Sequence, residues 1–246
     1  MRIHIIACQV LGRELGYYAA LSPHIVDIHW LPQGLHETPQ LLKRQLQLAI
    51  REAEDRTKCK PDVIALGYGL CSNGVLGLCA RETPLVVPRT DDCIALFLGS
   101  QKRYLELFQQ YNGTYWVNNG WLEHAYVPSE ENVKKRHAEY VELYGEDNAD
   151  FLLDQDQQWQ HNYNCCGYIT SPVYINPDYE EQAKAISQFQ NWKYAHIEGD
   201  TRMLEMLAGG QWPEEEFLTC PPGFHVEASF DVNKIKAVPN DGTERI

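Results

Sequence analysis

Three cysteines and one histidine stand where chemistry could gather: Cys8, just past the apolar run 3–7; His36, in LPQGLHETP; Cys71, in LGYGLCSNGVLGLCA; and Cys93, which closes PRTDDC. Thiolates and imidazole are soft or borderline ligands suited to an iron–sulfur cluster or to zinc, and three thiolates leave a fourth position for histidine, water or substrate. Glycines beside Cys71 would let the backbone approach a bulky centre and turn N–H groups toward it, which marks Gly69 and Gly74 as cofactor-binding candidates. Beside Cys93, Arg89 and Asp92 form a pair suited to holding an anionic substrate and relaying a proton.

The same residues allow other chemistry. Cys71 at a strand-to-helix turn, with His36 as its base, would make a nucleophilic pair of the kind a hydrolase uses. A nucleotide site matches less well, because the stretch lacks the Lys-Ser/Thr ending of a phosphate loop and spaces Gly67, Gly69 and Gly74 as GxGxxxxG. There is no CxxC pair, and free cysteine also packs as a small hydrophobe. Among the eight cysteines, Cys165 and Cys166 would point to opposite faces of an extended segment and read as structural. Cys220, in LTCPPGFH, faces either the cleft or the core, and His225 lies close behind it.

Convergence of the four residues depends on the elements that carry them. The runs 3–7, 26–31, 63–66 and 85–87 are short and apolar and read as strands, while 13–21, 40–57 and 94–111 have helical periodicity. Uniformly apolar strands separated by helices imply a parallel sheet covered on both faces. On such a sheet Cys8, His36, Cys71 and Cys93 all fall at the carboxyl edge, where open α/β sheets bind ligands.

After Gly113 the pattern restarts, with strands expected over 114–117, 167–170, 194–197 and 217–220 and helices over 130–144, 148–158, 179–191 and 201–208. The expectation is an α/β protein of two Rossmann-like lobes, each a mostly parallel sheet flanked by helices. Residues 1–112 would form the first lobe and carry the cysteine site; residues 113–246 would form the second, closing the cleft, with 232–246 as a polar tail or strap. In YWVNNGW, residues 115–121, the aromatics read better as core than as a wall for a planar ligand. Asp200 or Thr201 is a natural helix cap.

Composition narrows the partners. A chain of 246 residues with 21 Lys+Arg against 34 Asp+Glu has a net charge of −13, which repels phosphate backbones and argues against nucleic acid. No apolar stretch approaches the roughly 20 residues of a membrane span. The opening MRIHIIACQV runs directly into a strand without a charged leader, so a cytoplasmic location is expected, where scattered cysteines serve as thiols, ligands or nucleophiles before disulfides.

As a set, IIACQVL, LPQGLHETP, ALGYGLCSNGV, VVPRTDDCIALFLGS, NGTYWVNNGW, YAHIEGDTRMLEMLAGGQW and FLTCPPGFHV resemble the uncharacterised family called domain of unknown function 1638, over almost the whole chain. The resemblance implies recurrence of the positions matching Cys8, His36, Cys71, Arg89, Asp92 and Cys93. It also implies association with corrinoid methyltransferase systems and hence one-carbon or methylated-substrate metabolism. This chain departs from that pattern in Ser72, where Gly is common, in Asp91, where His is common, and in Thr219-Cys220, where two apolar residues are usual. Asp91 in place of His weakens any mechanism that needs a neutral base there. The expected function is a metal-dependent lyase or transferase, with an open iron–sulfur cluster or zinc acting on a small molecule in one-carbon, corrinoid-linked or sulfur metabolism. A non-enzymatic metal- or corrinoid-handling accessory of a methyltransferase system is the rival, and a Cys-nucleophile hydrolase the third reading.

Overall fold

The computed structural model describes residues 1–240. From the amino end the chain forms β1 (Arg2–Cys8), α1 (Gly12–Leu21), β2 (Ile25–Leu31), α2 (Pro39–Glu54), β3 (Val63–Gly67), β4 (Leu85–Pro88), α3 (Ile94–Phe97) and α4 (Gln101–Gln110). It continues through β5 (Thr114–Val117), α5 (Asn119–His124), α6 (Glu130–Tyr144), α7 (Glu146–Gln157), β6 (Cys165–Ile169), α8 (Pro177–Phe189) and β7 (Lys193–Ile197). It ends with α9 (Arg202–Gly209), β8 (Phe217–Cys220), β9 (Phe224–Ala228) and β10 (Ile235–Pro239). The architecture is mixed α/β, and its two larger sheets are dominated by parallel pairing.

Two compact units divide within α4: Met1–Tyr104 together with the chain from Gly199 onward, and Leu105–Glu198. The sequence placed a single boundary near residue 112 and left everything after it in the second lobe. That expectation is corrected by β8, which pairs antiparallel with β4 and completes the sheet β2-β1-β3-β4-β8. Pairing with β8 satisfies the outer N–H and C=O groups that β4 would otherwise present as an open edge. In the same return, α9 packs on α1 and buries Leu204 and Leu207. The strap also has more structure than expected, since β10 pairs antiparallel with β9; the rest of the expected tail, residues 241–246, lies outside the described residues.

Local sequence explains the first sheet. From Ile3 to Cys8 every residue of β1 is buried, as is all of β3, the signature of central strands covered on both faces. α2 starts with Pro39 at its first turn, where the missing N–H costs nothing, and buries Leu42, Leu46, Ala49, Ile50 and Ala53 along one stripe. The single helix expected over 94–111 is instead two. Gly99 interrupts it at φ 77°, where a Cβ would meet the Asp200 carboxyl carbon at 2.5 Å, and Phe97 O accepts from Asp200 N at 2.8 Å. A residue 101 positions away breaks the helix, which periodicity has no means of signalling.

The second unit is a parallel sheet in the order β5-β6-β7. Its core gathers Tyr115, Val117, Cys166, Tyr168 and Ile186. Tyr115 is in contact with the rings of Trp121, Trp159, Tyr163 and Trp192, so these aromatics pack on each other as core. Side-chain caps start α5 (Asn118 accepting from Trp121 N) and α6 (Ser129 accepting from Asn132 N). No helix among the described residues is long and apolar enough to cross a membrane.

Candidate functional site

In the first sheet the strand order reverses between β1 and β3, with β2 on one side and β4 on the other. The crevice outside the carboxyl ends at such a reversal is where open α/β sheets hold ligands. Cys8 ends β1, Tyr68 and Cys71 follow β3, and Cys93 follows β4 directly before α3. The loops after β3 and β4 continue beside each other beyond the sheet: Leu70 N donates to Thr90 O at 2.8 Å and Cys71 N to Asp91 O at 2.8 Å. Cys71, Ser72 and Asn73 then take left-handed conformations in succession, at φ 43°, 59° and 67°. Such conformations disfavour non-glycine residues and persist where surrounding contacts over-determine them.

The three thiols occupy one electrostatic environment. Desolvation pushes the Cys8 and Cys71 thiols up, and Asp92 and Cys8 push Cys71 further. Desolvation likewise raises Cys93, followed by Cys71, Asp92 and Cys8. Burial also raises the Asp92 carboxyl from its ordinary value. Tyr68, 3 % exposed, is raised first by burial and then by all three cysteines; its hydroxyl, beside Cys8, makes no hydrogen bond of ordinary geometry. Burial and mutual proximity thus act in one direction on Cys71, Cys93, Asp92 and Tyr68, disfavouring their ionised forms.

The sequence-chosen residues divide into two sets. Cys8, Cys71, Cys93 and Asp92 come together. Asp92 Oδ1 accepts from Ile94 N at 2.9 Å and Oδ2 from Tyr104 Oη at 3.1 Å, so it is fixed against the start of α3 and against α4 while lying beside the thiols. His36 lies in the short turn Leu35–Glu37 after β2, on the same sheet edge, partly exposed.

Arg89, expected to hold an anionic substrate, is engaged by the protein itself. It is buried, and its guanidinium faces backbone: Nε donates to Glu214 O at 2.8 Å, and Nη1 to Asn233 O at 2.9 Å and to Ile235 O. At Gly69 and Gly74, expected to bind a cofactor, neighbouring protein atoms pack close. A Cβ on Gly69 would fall 2.4 Å from Thr90 Oγ1, and one on Gly74 would fall 2.5 Å from Leu42 Cδ2. Both glycines make room for protein atoms.

Among the described residues, no three His, Cys, Asp or Glu side chains stand in an arrangement that holds a metal ion. The donor chemistry fits a metal, whereas seating one would need the sulfurs to rearrange. Tyr68 is not among the residues marked by thiol or glycine chemistry; its only signal in the sequence is its place one residue past β3, in GYGLC.

The family model described as "Protein of unknown function (DUF1638)" matches residues 30–208. No curated protein and no solved structure matches the chain.

Proposed function

We propose that this chain, which belongs to the DUF1638 family, uses Cys8, Cys71 and Cys93 as an open thiolate site for an iron–sulfur cluster, with zinc as the alternative metal, and acts there on a small molecule. The observation that carries this reading is the gathering of three thiols from three strand-end loops at the β1/β3 reversal, where they share their surroundings with Asp92 and Tyr68. In this reading each unit is a Rossmann-like lobe, and the order β2-β1-β3-β4 supports a crevice beside the thiols. His36, on the same edge, is the candidate fourth ligand.

A bound metal or cluster would supply Lewis acidity to the substrate. The chain supplies the rest: thiols that lose their protons on ligation, the Tyr68 hydroxyl as a hydrogen-bond donor, and Asp92 as a buried carboxyl beside them. The family resemblance supports a setting in one-carbon, corrinoid-linked or sulfur metabolism, with a corrinoid methyltransferase system as partner; a cytoplasmic location is part of the same proposal. The nucleophilic reading is less well supported, because burial raises all three thiols, neighbouring acidic groups raise Cys71 and Cys93 further, and little thiolate is left near neutrality.

The test is iron, zinc and acid-labile sulfide content with the visible spectrum, on protein purified without oxygen, beside Cys71→Ser. Iron and sulfide that disappear in the variant support a cluster. Zinc that disappears supports the alternative metal. Neither element in the wild-type chain would sink the proposal.

A further inference from the structure

The chain after α9 reaches back to the loop that carries Cys93. The three carbonyls that accept from Arg89 belong to Glu214, Asn233 and Ile235, and Arg89 N itself donates to Glu216 O at 2.8 Å. At the end of the turn joining β9 to β10, Lys234 takes φ 61° and places its Nζ 2.6 Å from Asp91 Oδ1. The other Asp91 oxygen accepts from Gln101 Nε2 at 2.6 Å, and Gln101 Oε1 accepts from Asp91 N at 2.8 Å. The Asp91 carbonyl holds Cys71 N at 2.8 Å. Direct hydrogen bonds therefore run from Lys234 through Asp91 to Cys71, and Cys93 is two residues further along the same loop.

We infer that the β9–β10 hairpin is a clasp that sets the spacing of Cys71 and Cys93, with Lys234 and Arg89 as its positioning residues; this rests on the reading of these thiols as a ligand site. The physical reason is that residues 89–93 lie between β4 and α3 with no regular ladder or helix of their own. Their geometry must come from side chains and from neighbouring loops. Arg89 supplies a rigid planar fork, and Lys234 neutralises the acidic residue whose carbonyl grips the Cys71 loop. Glu214, Asn233, Lys234 and Ile235 lie beyond residue 208, where the family match ends, while Arg89 and Asp91 lie within it.

The test measures iodoacetamide alkylation cysteine by cysteine, by peptide mass, on the full chain after chelator treatment, together with Zn²⁺ affinity. Lys234→Met keeps the stem and removes the ammonium. It should raise alkylation at Cys71 and Cys93 at least about fivefold relative to the buried Cys79 and Cys220 of the same unit, and weaken Zn²⁺ binding about tenfold. Asp91→Asn should reproduce this, and the double variant should add little, as expected for partners in one contact. Unchanged rates at Cys71 and Cys93 overturn the clasp, and so does a parallel rise at Cys79 and Cys220, which would make the hairpin a general support of the unit. A selective rise in a chain whose wild type takes up no Zn²⁺, iron or sulfide would keep the clasp and remove the ligand reading.

Discussion

Gly69 stands so close to Thr90 that a Cβ on it would lie 2.4 Å from the hydroxyl oxygen and 2.6 Å from the carbonyl oxygen. This contact lets the loop bearing Cys71 lie along the loop bearing Cys93. Gly69→Ala should therefore cost about 1–3 kcal/mol by overpacking and pull the two loops apart. The check is a urea unfolding midpoint together with Cys71 alkylation; an Ala variant with wild-type values in both would show that the glycine is not needed for the approach.

Arg89 gives a contrast between charge and structure. If its work is to satisfy buried carbonyls, Arg89→Ala should lose about 3 kcal/mol, because acceptors are left unpaired where water does not easily reach. Hydrogen exchange should rise first in 224–239. A variant of wild-type stability that has lost only ligand binding would restore the substrate-holding role.

Glu54 closes α2 as a buried carboxylate. Its Oε1 accepts from Glu82 N at 2.8 Å and Thr83 N at 3.0 Å, and its Oε2 from Arg81 N at 3.2 Å. Glu54→Ala should cost about 2–3 kcal/mol, more than Arg81→Ala, whose side chain is half exposed on the other end of the ion pair. Chemical denaturation of the two variants checks the order.

His4 and Asp27 are register partners on β1 and β2, with His4 Nδ1 bonded to Asp27 Oδ2. Arg56 Nη1 meets the same oxygen at 2.6 Å, Arg2 Nη1 lies 3.8 Å from the other, and the His29 ring centroid is 6.3 Å from that of His4. Burial lowers the His4 pKa below 6.5 despite the pull of Asp27. The folded protein thus favours neutral His4, and the unfolded chain takes up its proton first as pH falls. Stability from this group is complete above about pH 6.5 and declines below it. Asp27, lowered from 3.8 by its bonds to Arg56 and His4 against the opposing effect of burial, loses its contribution only in stronger acid. The urea midpoint should fall between about pH 7 and about pH 5.5, and His4→Gln should flatten that slope; equal slopes in both proteins would assign the effect to other groups.

By itself the sequence determined the alternation of buried strands and amphipathic helices and, through it, the placement of Cys8, Cys71 and Cys93 at strand ends. Each of those features is written in neighbouring residues: the uniform apolarity of β1 and β3, the stripe of α2, the glycines after β3. Tertiary structure alone decided what Arg89 does, since its acceptors lie 125 to 146 positions away. It also decided that β8 completes the first sheet, that Asp200 breaks the helix at Gly99, and that Tyr68 is buried among the thiols. A side chain's partner across such a separation leaves no period in the sequence, because it is chosen by which surfaces the folded chain brings together.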